Sequence, residues 1–239
     1  WDRGSALRVK MSGGDLASAD PLSVLNGANS MAIGDGSGSN WEVFQFAEVQ
    51  VVAPDTFDIS LRLRGQAGTD GLMPEEWPIG STVVLLDQTV VQIDLPISAR
   101  GLARYYRFGA AARGFDDPDA VLLVETFDGA GLRPYPVAHL RATSDPGSDL
   151  LVSWTRRTRI DGDSWQAFEV PLGEEVERYI LRVFQSSTLR AEHILSEPRF
   201  TYTQVMQAAD LQAGPYRLEV AQISSQFGPG PFRGLDLAR

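Results

Sequence analysis

The sequence predicts an all-β chain in which an N-terminal antiparallel β-sheet, or barrel-like domain, is followed by a β-sandwich. Two observations support this fold class. Residues 57–64 alternate between apolar and polar side chains, which is the period of a strand with one face in a core and one in water. Short strand-like segments then recur along the chain, and turns rich in Gly, Pro, Asn and Asp separate them.

The strand predicted at residues 57–64 is the clearest element of the first half. Its apolar residues are Phe57, Ile59, Leu61 and Leu63. Its polar face carries Arg62 and Arg64, whose guanidinium groups suit either an internal ion pair or a carboxylate of a partner protein. Three glycines among residues 65–71 then end the strand in an ordered turn or a mobile loop.

Upstream of this strand the elements are short. Residues 7–12 and 31–33 predict two strands. Asp20 and Pro21 suit the N-cap and the first position of a short helix, which Asn26 and the glycine after it can end. The DGSGSN sequence at 35–40 predicts a turn, and it lacks the closing Glu of a calcium loop.

Two hairpins and two further strands complete the predicted first domain. Residues 49–52 and 57–64 form the first hairpin over a Pro-Asp turn. Residues 82–86 and 90–95 form the second hairpin over a three-residue turn. The further strands are predicted at residues 105–108 and 120–126, and the second of these closes or leaves the domain.

The segment GAGLRP at 129–134 is the best candidate for a linker, because its Gly and Pro density is typical of domain boundaries. The 239 residues are enough for two ordinary domains, each with its own core. We therefore predict a β-rich domain at residues 1–128, a linker at 129–135 and a second domain at 136–239.

Seven short strands are predicted in the second domain, at residues 136–142, 149–156, 178–184, 189–194, 200–205, 216–223 and 232–237. We expect Trp154 in the core, a hairpin turn at Asp161-Gly162, and a tyrosine-corner arrangement of Leu211 and Tyr216. This pattern resembles a fibronectin type III domain. The resemblance implies a fibronectin type III-like β-sandwich, and it implies no particular function.

Composition excludes several classes of protein. The formal charge is −10, from 31 acidic and 21 basic residues, which argues against a surface that binds DNA or anionic lipid. The absence of cysteine excludes disulfides and thiolate metal sites. No apolar run reaches the length of a membrane-spanning helix. The chain opens at Trp1 without a methionine, so we expect it to be part of a longer protein.

The residue types form no recognisable catalytic set. The two histidines, His139 and His193, occupy predicted strands, and no Ser-His-Asp set follows from the spacing. Adjacent acidic pairs indicate charged loops, because neighbours on a strand point to opposite faces. We predict no catalytic residue, no cofactor and no metal.

Four residues are candidates for contact with another protein. Arg62 and Arg64 lie on the predicted polar strand face, where an internal ion pair is the alternative. Trp77 and Phe227 are aromatic residues in predicted loops, and aromatic residues are enriched at protein interfaces.

Several longer motifs carry a second resemblance: WEVFQFAEV, LRLRGQAGTD, GLRPYPVAHLRA, RRTRIDGDSWQ and PRFTYTQVMQAAD. With these motifs the chain resembles the C-terminal part of the baseplate or tail-tip "megatron" (host-specificity) proteins of alphaproteobacterial gene transfer agents and related siphophage-like tails. The resemblance implies a non-enzymatic structural component that contributes to particle assembly, host-envelope attachment and DNA delivery. It also implies a location at the tail tip of a virion or gene transfer agent particle that is assembled in the bacterial cytoplasm.

The partners implied by this resemblance are the hub and distal tail proteins, further copies of the chain, and a host cell-surface receptor or polysaccharide. Stable nucleic-acid binding by this segment is not expected. The alternative hypothesis is a non-catalytic glycan-binding or spacer module of a larger secreted carbohydrate-active enzyme. That alternative requires a glycan site, typically a row of exposed aromatic residues on one sheet.

Overall fold

The computed structural model describes residues 1–36, 40–144, 149–162 and 170–238, which form two compact units. The first unit comprises Trp1–Arg64 and Pro74–Gly131, and the second comprises Gly65–Met73 and Leu132–Arg239. The predicted boundaries at residues 128 and 136 refer to independent domains. Two compact units within one chain do not show whether residues 1–128 and 136–239 fold as separate domains. The division into domains therefore stays a prediction.

The first unit is built on a five-stranded sheet of order β1-β4-β3-β2-β5. Its strands are β1 (Leu7–Lys10), β2 (Ser30–Gly34), β3 (Trp41–Ala53), β4 (Thr56–Gln66) and β5 (Thr82–Leu85). β3 and β4 form the predicted hairpin, and the turn residue Asp55 adopts a positive φ of 54°. The core on one face of this sheet buries Met31, Ile33, Phe44, Phe46, Phe57 and Ile59.

The predicted helix is present as α1 (Pro21–Leu25), and its start follows from the side chain of Asp20. Asp20 Oδ1 accepts hydrogen bonds from the backbone N–H groups of Leu22 and Ser23, both at 3.1 Å. These bonds satisfy donors that the first helical turn leaves free. Gln45 on β3 donates to the carbonyl of Val24 at 2.6 Å, which ties the helix to the sheet.

The prediction of a second hairpin is wrong. Residues 90–95 form no strand, and β5 pairs with the edge of β2, where Val83 lies opposite Ile33. Pairing with β2 places Val83 and Leu85 against the core of the first sheet. A hairpin with 90–95 would not provide that burial, and burial of apolar area is the larger stabilising contribution.

The two further predicted strands of this unit pair with each other. β6 (Arg104–Phe108) and β7 (Val121–Glu125) form an antiparallel two-stranded sheet in which Tyr106 lies opposite Leu123. Among the described strands, neither pairs with the five-stranded sheet. The strand at 120–126 therefore does not close the first sheet.

The second unit is a sandwich of two antiparallel sheets. One has the order β12-β9-β8, and the other has the order β11-β10-β13, with β14 and β15 also paired to β13. The strands are β8 (Ala138–Thr143), β9 (Leu150–Thr155), β10 (Tyr179–Gln185), β11 (Thr188–Leu195), β12 (Arg199–Tyr202), β13 (Tyr216–Ser224), β14 (Gly228–Pro229) and β15 (Arg233–Leu237). The first, second and fifth predicted strands thus share one sheet, and the other four share the second. This confirms the all-β prediction and the fibronectin type III-like sandwich.

The sandwich core contains the predicted tryptophan. Trp154 is buried, and its ring meets Tyr179 edge to face at a centroid distance of 5.2 Å. Leu211 and Tyr216, the residues of the predicted tyrosine corner, are both buried. The edge-to-face pair adds to the stabilisation from area burial alone.

The connection before β13 contains a helix that the strand pattern did not predict. The strand predicted at 200–205 ends at Tyr202, and α2 (Gln204–Asp210) follows. Thr203 is its N-cap, because the hydroxyl oxygen accepts a hydrogen bond from the N–H of Met206. Within the described residues, no helix is long and apolar enough to cross a membrane.

The glycine-rich segment after β4 is an ordered turn that packs within the second unit. It contains a short 3₁₀ helix, Thr69–Gly71. Gly68 has a positive φ of 78°, and a Cβ there would lie 2.5 Å from the ring of Tyr135. Asp70 forms an ion pair with Arg157. Gly71 likewise has no room for a Cβ beside Pro231. Glycine is therefore required at both positions, because Tyr135 and Pro231 lie so close to the backbone of this turn.

Two predicted turns fall partly outside the described residues. The turn at 35–40 includes 37–39, and the hairpin over Asp161-Gly162 continues into 163–169.

Candidate functional site

A buried carboxylate lies at one end of the core of the first unit. Glu42 on β3 is only 1% exposed, and it follows the same strand face as Phe44 and Phe46. Arg64 Nε donates to Glu42 Oε1 at 2.9 Å, and Arg64 Nη2 donates to Oε2 at 2.7 Å. Trp77 Nε1 also donates to Oε2, at 2.6 Å. The two-pronged guanidinium contact is the strong form of such a bond.

Arg64 also holds the chain that follows the sheet. Its Nη2 donates to the carbonyl of Pro74 at 2.9 Å, and its Nη1 donates to the carbonyl of Glu75 at 3.3 Å. The hydrogen bonds that the Arg64 guanidinium donates to the Glu42 carboxylate raise the pKa of Arg64 above its ordinary value. Glu42, Arg64 and Trp77 are together called the Glu42 cluster below.

Arg62 forms a second ion pair beside this cluster. Its Nη2 donates to Asp2 Oδ2 at 2.7 Å and to the carbonyl of Ser5 at 2.9 Å. The backbones of Asp2 and Arg62 form a β-bridge at the same place. The backbone N–H of Gly4 lowers the pKa of the Asp2 carboxyl, and the bond from Arg62 lowers it further.

The prediction that both arginines lie on a polar face is wrong, and the backbone of Leu61 explains why. Leu61 has a φ of 51°, in the left-handed region that a branched apolar residue rarely adopts. The regular alternation of buried residues ends at Ile59. Beyond Leu61 the side chain of Arg64 reaches the core-side carboxylate of Glu42. The internal ion pair, the alternative at both positions, is what the structure contains.

The Glu42 cluster and Arg62 border a cavity of about 290 Å³. Asp2, Phe44 and Glu76 also line it. Most polar groups here are already bonded to one another, and Arg62 Nε is the one described side-chain atom of the lining that is buried without a hydrogen-bond partner. No group of three or more His, Asp or Glu in the described part of the chain is placed to hold a metal ion. The chemistry of the cavity is therefore that of an internal ion-pair network.

The two aromatic candidates have internal neighbours as well. Trp77 is partly buried against the core of the first unit. Phe227 is partly buried in the second unit, where the guanidinium carbon of Arg159 lies 5.4 Å from its ring centroid. Whether Arg62, Arg64, Trp77 or Phe227 contacts another protein stays a prediction.

The two histidines of the second unit have ordinary structural environments. His139 is exposed and has a positive φ of 52°. The ring of His193 packs on Phe200 at a centroid distance of 4.7 Å and approaches Tyr202 edge-on. These contacts are those of packed or solvated side chains.

A further surface was missed as a candidate from the sequence. β6 and β7, called the apolar ribbon below, carry apolar side chains on both faces, and most of them are exposed. Val121, Leu122, Leu123 and Val124 are exposed at 55%, 69%, 44% and 56%, and Tyr105 is exposed at 85%. Neither hydrophobic core described above includes a residue of the ribbon. The signal was the uninterrupted run of four aliphatic residues, which puts apolar groups on both faces of a strand.

Comparison with known proteins gives a partial family match and a fold likeness. Residues 1–84 match the sequence model of the family described as "Rcc01698-like, C-terminal". No curated protein matches the chain.

Among solved structures the chain is similar to domains d3–d4 of the rat CD45 extracellular region, with 14% identity and a TM-score of 0.34, over 70% of this chain and 77% of that one. It is also similar to the fibronectin type III domain of human fibronectin type III domain containing protein 3, with 14% identity and a TM-score of 0.28, over 44% and 87% of the two chains. The FN1–FN3 domains of chicken CNTN1 match at 13% identity and a TM-score of 0.31, over 87% and 52%.

Proposed function

We propose that this chain is a non-catalytic structural module of a phage-like tail tip or baseplate, in a gene transfer agent or a siphophage-like particle. In that role it contributes to assembly, to attachment to the host envelope and to DNA delivery. Its partners are hub and distal tail proteins, and its location is the tail tip of the particle. The observation that carries an assembly role is the apolar ribbon, which a single chain leaves exposed on both faces.

The apolar ribbon favours assembly because exposed apolar surface of this kind marks a protein interface. An isolated two-stranded sheet is at best marginally stable in water, and a partner that covers it adds stability. The Glu42 cluster supports the same role in a different way. Its carboxylate already accepts hydrogen bonds from Arg64 and Trp77, so the cluster stabilises the fold and presents no free reactive group.

The particle context is supported by sequence. The residues of the Rcc01698-like family match, 1–84, include the WEVFQFAEV and LRLRGQAGTD motifs that carry the resemblance to tail-tip proteins. The fibronectin type III-like unit suits a rigid spacer or an adhesive module in such a protein, although this fold occurs with many functions.

The experiment is antibody labelling of particles purified from the producing organism, with antibody raised against this chain and electron microscopy as the readout. We expect gold at the distal tail end. Antibody that has been absorbed with the purified chain is the control, and it should leave the particles unlabelled. Antigen confined to the soluble culture fraction, with unlabelled particles, would contradict the tail-tip role.

The second candidate function is glycan binding within a larger secreted carbohydrate-active protein. One observation favours it: Tyr105 and Phe115 are exposed at 85% and 81%, and the ring of Phe115 lies beside Arg107, which is two residues from Tyr105 on β6. The aliphatic Leu122 and Val124 share that surface and offer no hydrogen bonds to a sugar. Measured binding of cell-wall or capsule polysaccharide that is lost in a Tyr105→Ala/Phe115→Ala variant would favour this candidate.

A further inference from the structure

Residues 2–6, called the strap below, lie on the outer edge of β4 beyond the end of β1. Two backbone hydrogen bonds hold them there. The N–H of Asp2 donates to the carbonyl of Arg62 at 2.7 Å, and the N–H of Arg62 donates to the carbonyl of Asp2 at 3.1 Å. β1 itself pairs with β4 from Leu7 onward. The strap is therefore an isolated bridge followed by a loop, and it does not extend the strand.

The side-chain bonds of the strap converge on two residues. Arg62 Nη2 donates to Asp2 Oδ2 at 2.7 Å and to the carbonyl of Ser5 at 2.9 Å. The backbone N–H of Gly4 donates to Asp2 Oδ1 at 2.8 Å. One carboxylate and one guanidinium thus hold the strap in its closed position.

The strap has no buried apolar side chain to anchor it. Residues 3–6 are exposed, whereas the comparable segment at the edge of β3 is anchored by Leu16, a core residue that is 8% exposed. In that segment the backbone N–H of Ala19 donates to the carbonyl of Ala47 at 2.9 Å. Since burial of apolar area is the dominant stabilising contribution, a segment held by polar bonds alone opens at a lower cost in free energy.

The strap also forms one wall of the cavity described above. Asp2, Gly4, Ser5 and Ala6 line that cavity of about 290 Å³ together with Arg62. Arg62 Nε is buried there without a hydrogen-bond partner among the described residues. A buried donor without an acceptor destabilises the closed state, so hydration of this group favours opening.

We infer that the strap is a local gate, which opens while the five-stranded sheet stays folded and gives molecules from outside access to the cavity. Opening releases the guanidinium of Arg62 and uncovers the backbone edge of β4 beside it, where an extended segment can add. An internal ion pair and an external contact, the two interpretations of Arg62 from sequence, then belong to two states of one residue. This inference concerns the first unit alone and does not depend on the proposed tail-tip role.

The test exploits the absence of cysteine from the chain. Ile33→Cys places a single thiol on the cavity wall, at a residue that is 2% exposed. Ile59→Cys is the matched control, in the same core but outside the cavity lining. The measurement is the rate at which each variant of the 239-residue chain reacts with a water-soluble thiol reagent.

We expect the Ile33→Cys chain to react faster than the Ile59→Cys chain, at a rate that changes little with urea below the unfolding transition. Local opening exposes little surface, so it responds weakly to urea. Reaction through global unfolding, which is the route left to a thiol at position 59, rises steeply with urea.

The hydrogen bonds of the strap are tested by Asp2→Asn in the Ile33→Cys chain. We expect the urea-independent rate to rise about tenfold, which is the change expected for the loss of one charge-assisted hydrogen bond. The control is Asp58→Asn, which removes the carboxylate of the exposed Arg8–Asp58 pair on the neighbouring β1–β4 ladder. That control should leave the Ile33→Cys rate unchanged.

Amide exchange of Arg62, followed by NMR in the cysteine-free chain, measures the same opening without relying on the folding of the thiol variants. Because this N–H donates to Asp2 of the strap, its exchange should be insensitive to low urea and should also accelerate about tenfold in Asp2→Asn.

Three results would overturn the inference. The first is an Arg62 amide that exchanges only with the urea dependence of global unfolding. The second is an Ile33→Cys thiol that reacts no faster than the Ile59→Cys thiol, and the third is an Asp2→Asn substitution that changes the rates no more than Asp58→Asn does. Antibody labelling at the tail tip is unaffected by any of these results, so the proposed function would stand or fall separately.

Discussion

The Glu42 cluster and the apolar ribbon reverse the usual distribution of residues in opposite ways. In the cluster a carboxylate lies in the core, with Glu42 only 1% exposed. In the ribbon aliphatic side chains lie in water, with Leu122 exposed at 69%. Both belong to the first unit. The difference is that the buried carboxylate has bonding partners within the chain, whereas the exposed apolar surface is not covered by any part of the described chain.

The compensation of Glu42 is specific. Moving a carboxylate out of water costs several kcal/mol unless charged and polar groups replace the lost hydration. The two guanidinium bonds of Arg64 and the indole bond of Trp77 provide that replacement. Such a group is explained by structure alone, and it gives little reason to expect a ligand or a reaction.

The ribbon has no comparable partner within the described chain. Its side chains belong to neither core, and its two strands pair with no other described strand. An unexplained exposed surface therefore points outward to a partner more strongly than an unusual but satisfied buried group does. The variants below test this contrast, in order of decreasing expected effect.

Replacing Glu42 by alanine should have the largest effect. We expect the free energy of unfolding of the first unit to fall by about 3–5 kcal/mol, because the Arg64 guanidinium would stay buried without its carboxylate. The measurement is urea unfolding followed by amide exchange of peptides from β2 to β4. The control is Glu48→Ala on the same strand, where the carboxylate is exposed and accepts a bond from Ser60. Equal losses for the two variants would contradict the role of burial.

Replacing Arg64 by lysine should have a smaller effect. The charge remains, but the two parallel bonds to Glu42 and the bonds to the carbonyls of Pro74 and Glu75 cannot all form from one ammonium. We expect a loss of about 2 kcal/mol in the free energy of unfolding of this unit. Arg8→Lys is the matched control, since Arg8 is largely exposed beside Asp58 and should change little. A loss confined to Arg8→Lys would reverse this interpretation.

The contrast between the two regions also shows what could be predicted from sequence. The sandwich strands alternate regularly and are separated by turns, so pattern alone locates β9, β10 and β13 and puts Trp154 in the core. The cap of α1 is equally local, because Asp20 and Pro21 act within one turn.

The prediction that Arg62 and Arg64 lie on a polar strand face failed for a physical reason. The left-handed backbone of Leu61 changes the faces on which Arg62 and Arg64 lie. The residue types around Leu61 do not predict this backbone conformation. The carboxylate partner is 22 residues from Arg64 in sequence. Long-range pairing of this kind depends on strand register, which a periodic pattern specifies only as long as the period holds.

The strands predicted through the start of α2 and at residues 90–95 failed for a different reason. Thr203 was included in a strand pattern, yet its hydroxyl caps a helix instead. The run at 90–95 looks apolar and strand-like, but β5 gains more burial by pairing with β2. In both places a local preference competes with a tertiary alternative, and the alternative determines the structure.

The ion pair beside the cluster should give a modest dependence of stability on pH. The pKa of Asp2 is lowered in the folded chain from an ordinary value of 3.8, first by the Gly4 backbone bond and then by Arg62. Asp2 therefore contributes stability above its unfolded pKa, and this contribution is lost as the pH falls through the lower folded pKa. The difference in free energy of unfolding between the unaltered chain and Asp2→Asn should be constant near neutral pH and shrink below about pH 4. A difference that persists unchanged into acid would contradict this assignment.

Replacing Leu122 by alanine should have the smallest effect on the chain itself. Since Leu122 is 69% exposed and outside both cores, the free energy of unfolding should change by no more than about 0.5 kcal/mol, measured at a concentration where the chain is monomeric. The same substitution at Leu218, fully buried in the sandwich, should cost about 2–5 kcal/mol and serves as the reference. A loss at Leu122 as large as the loss at Leu218 would mean that the ribbon is packed within its own chain in solution. The surface would then need no partner, and the contrast with the Glu42 cluster would disappear.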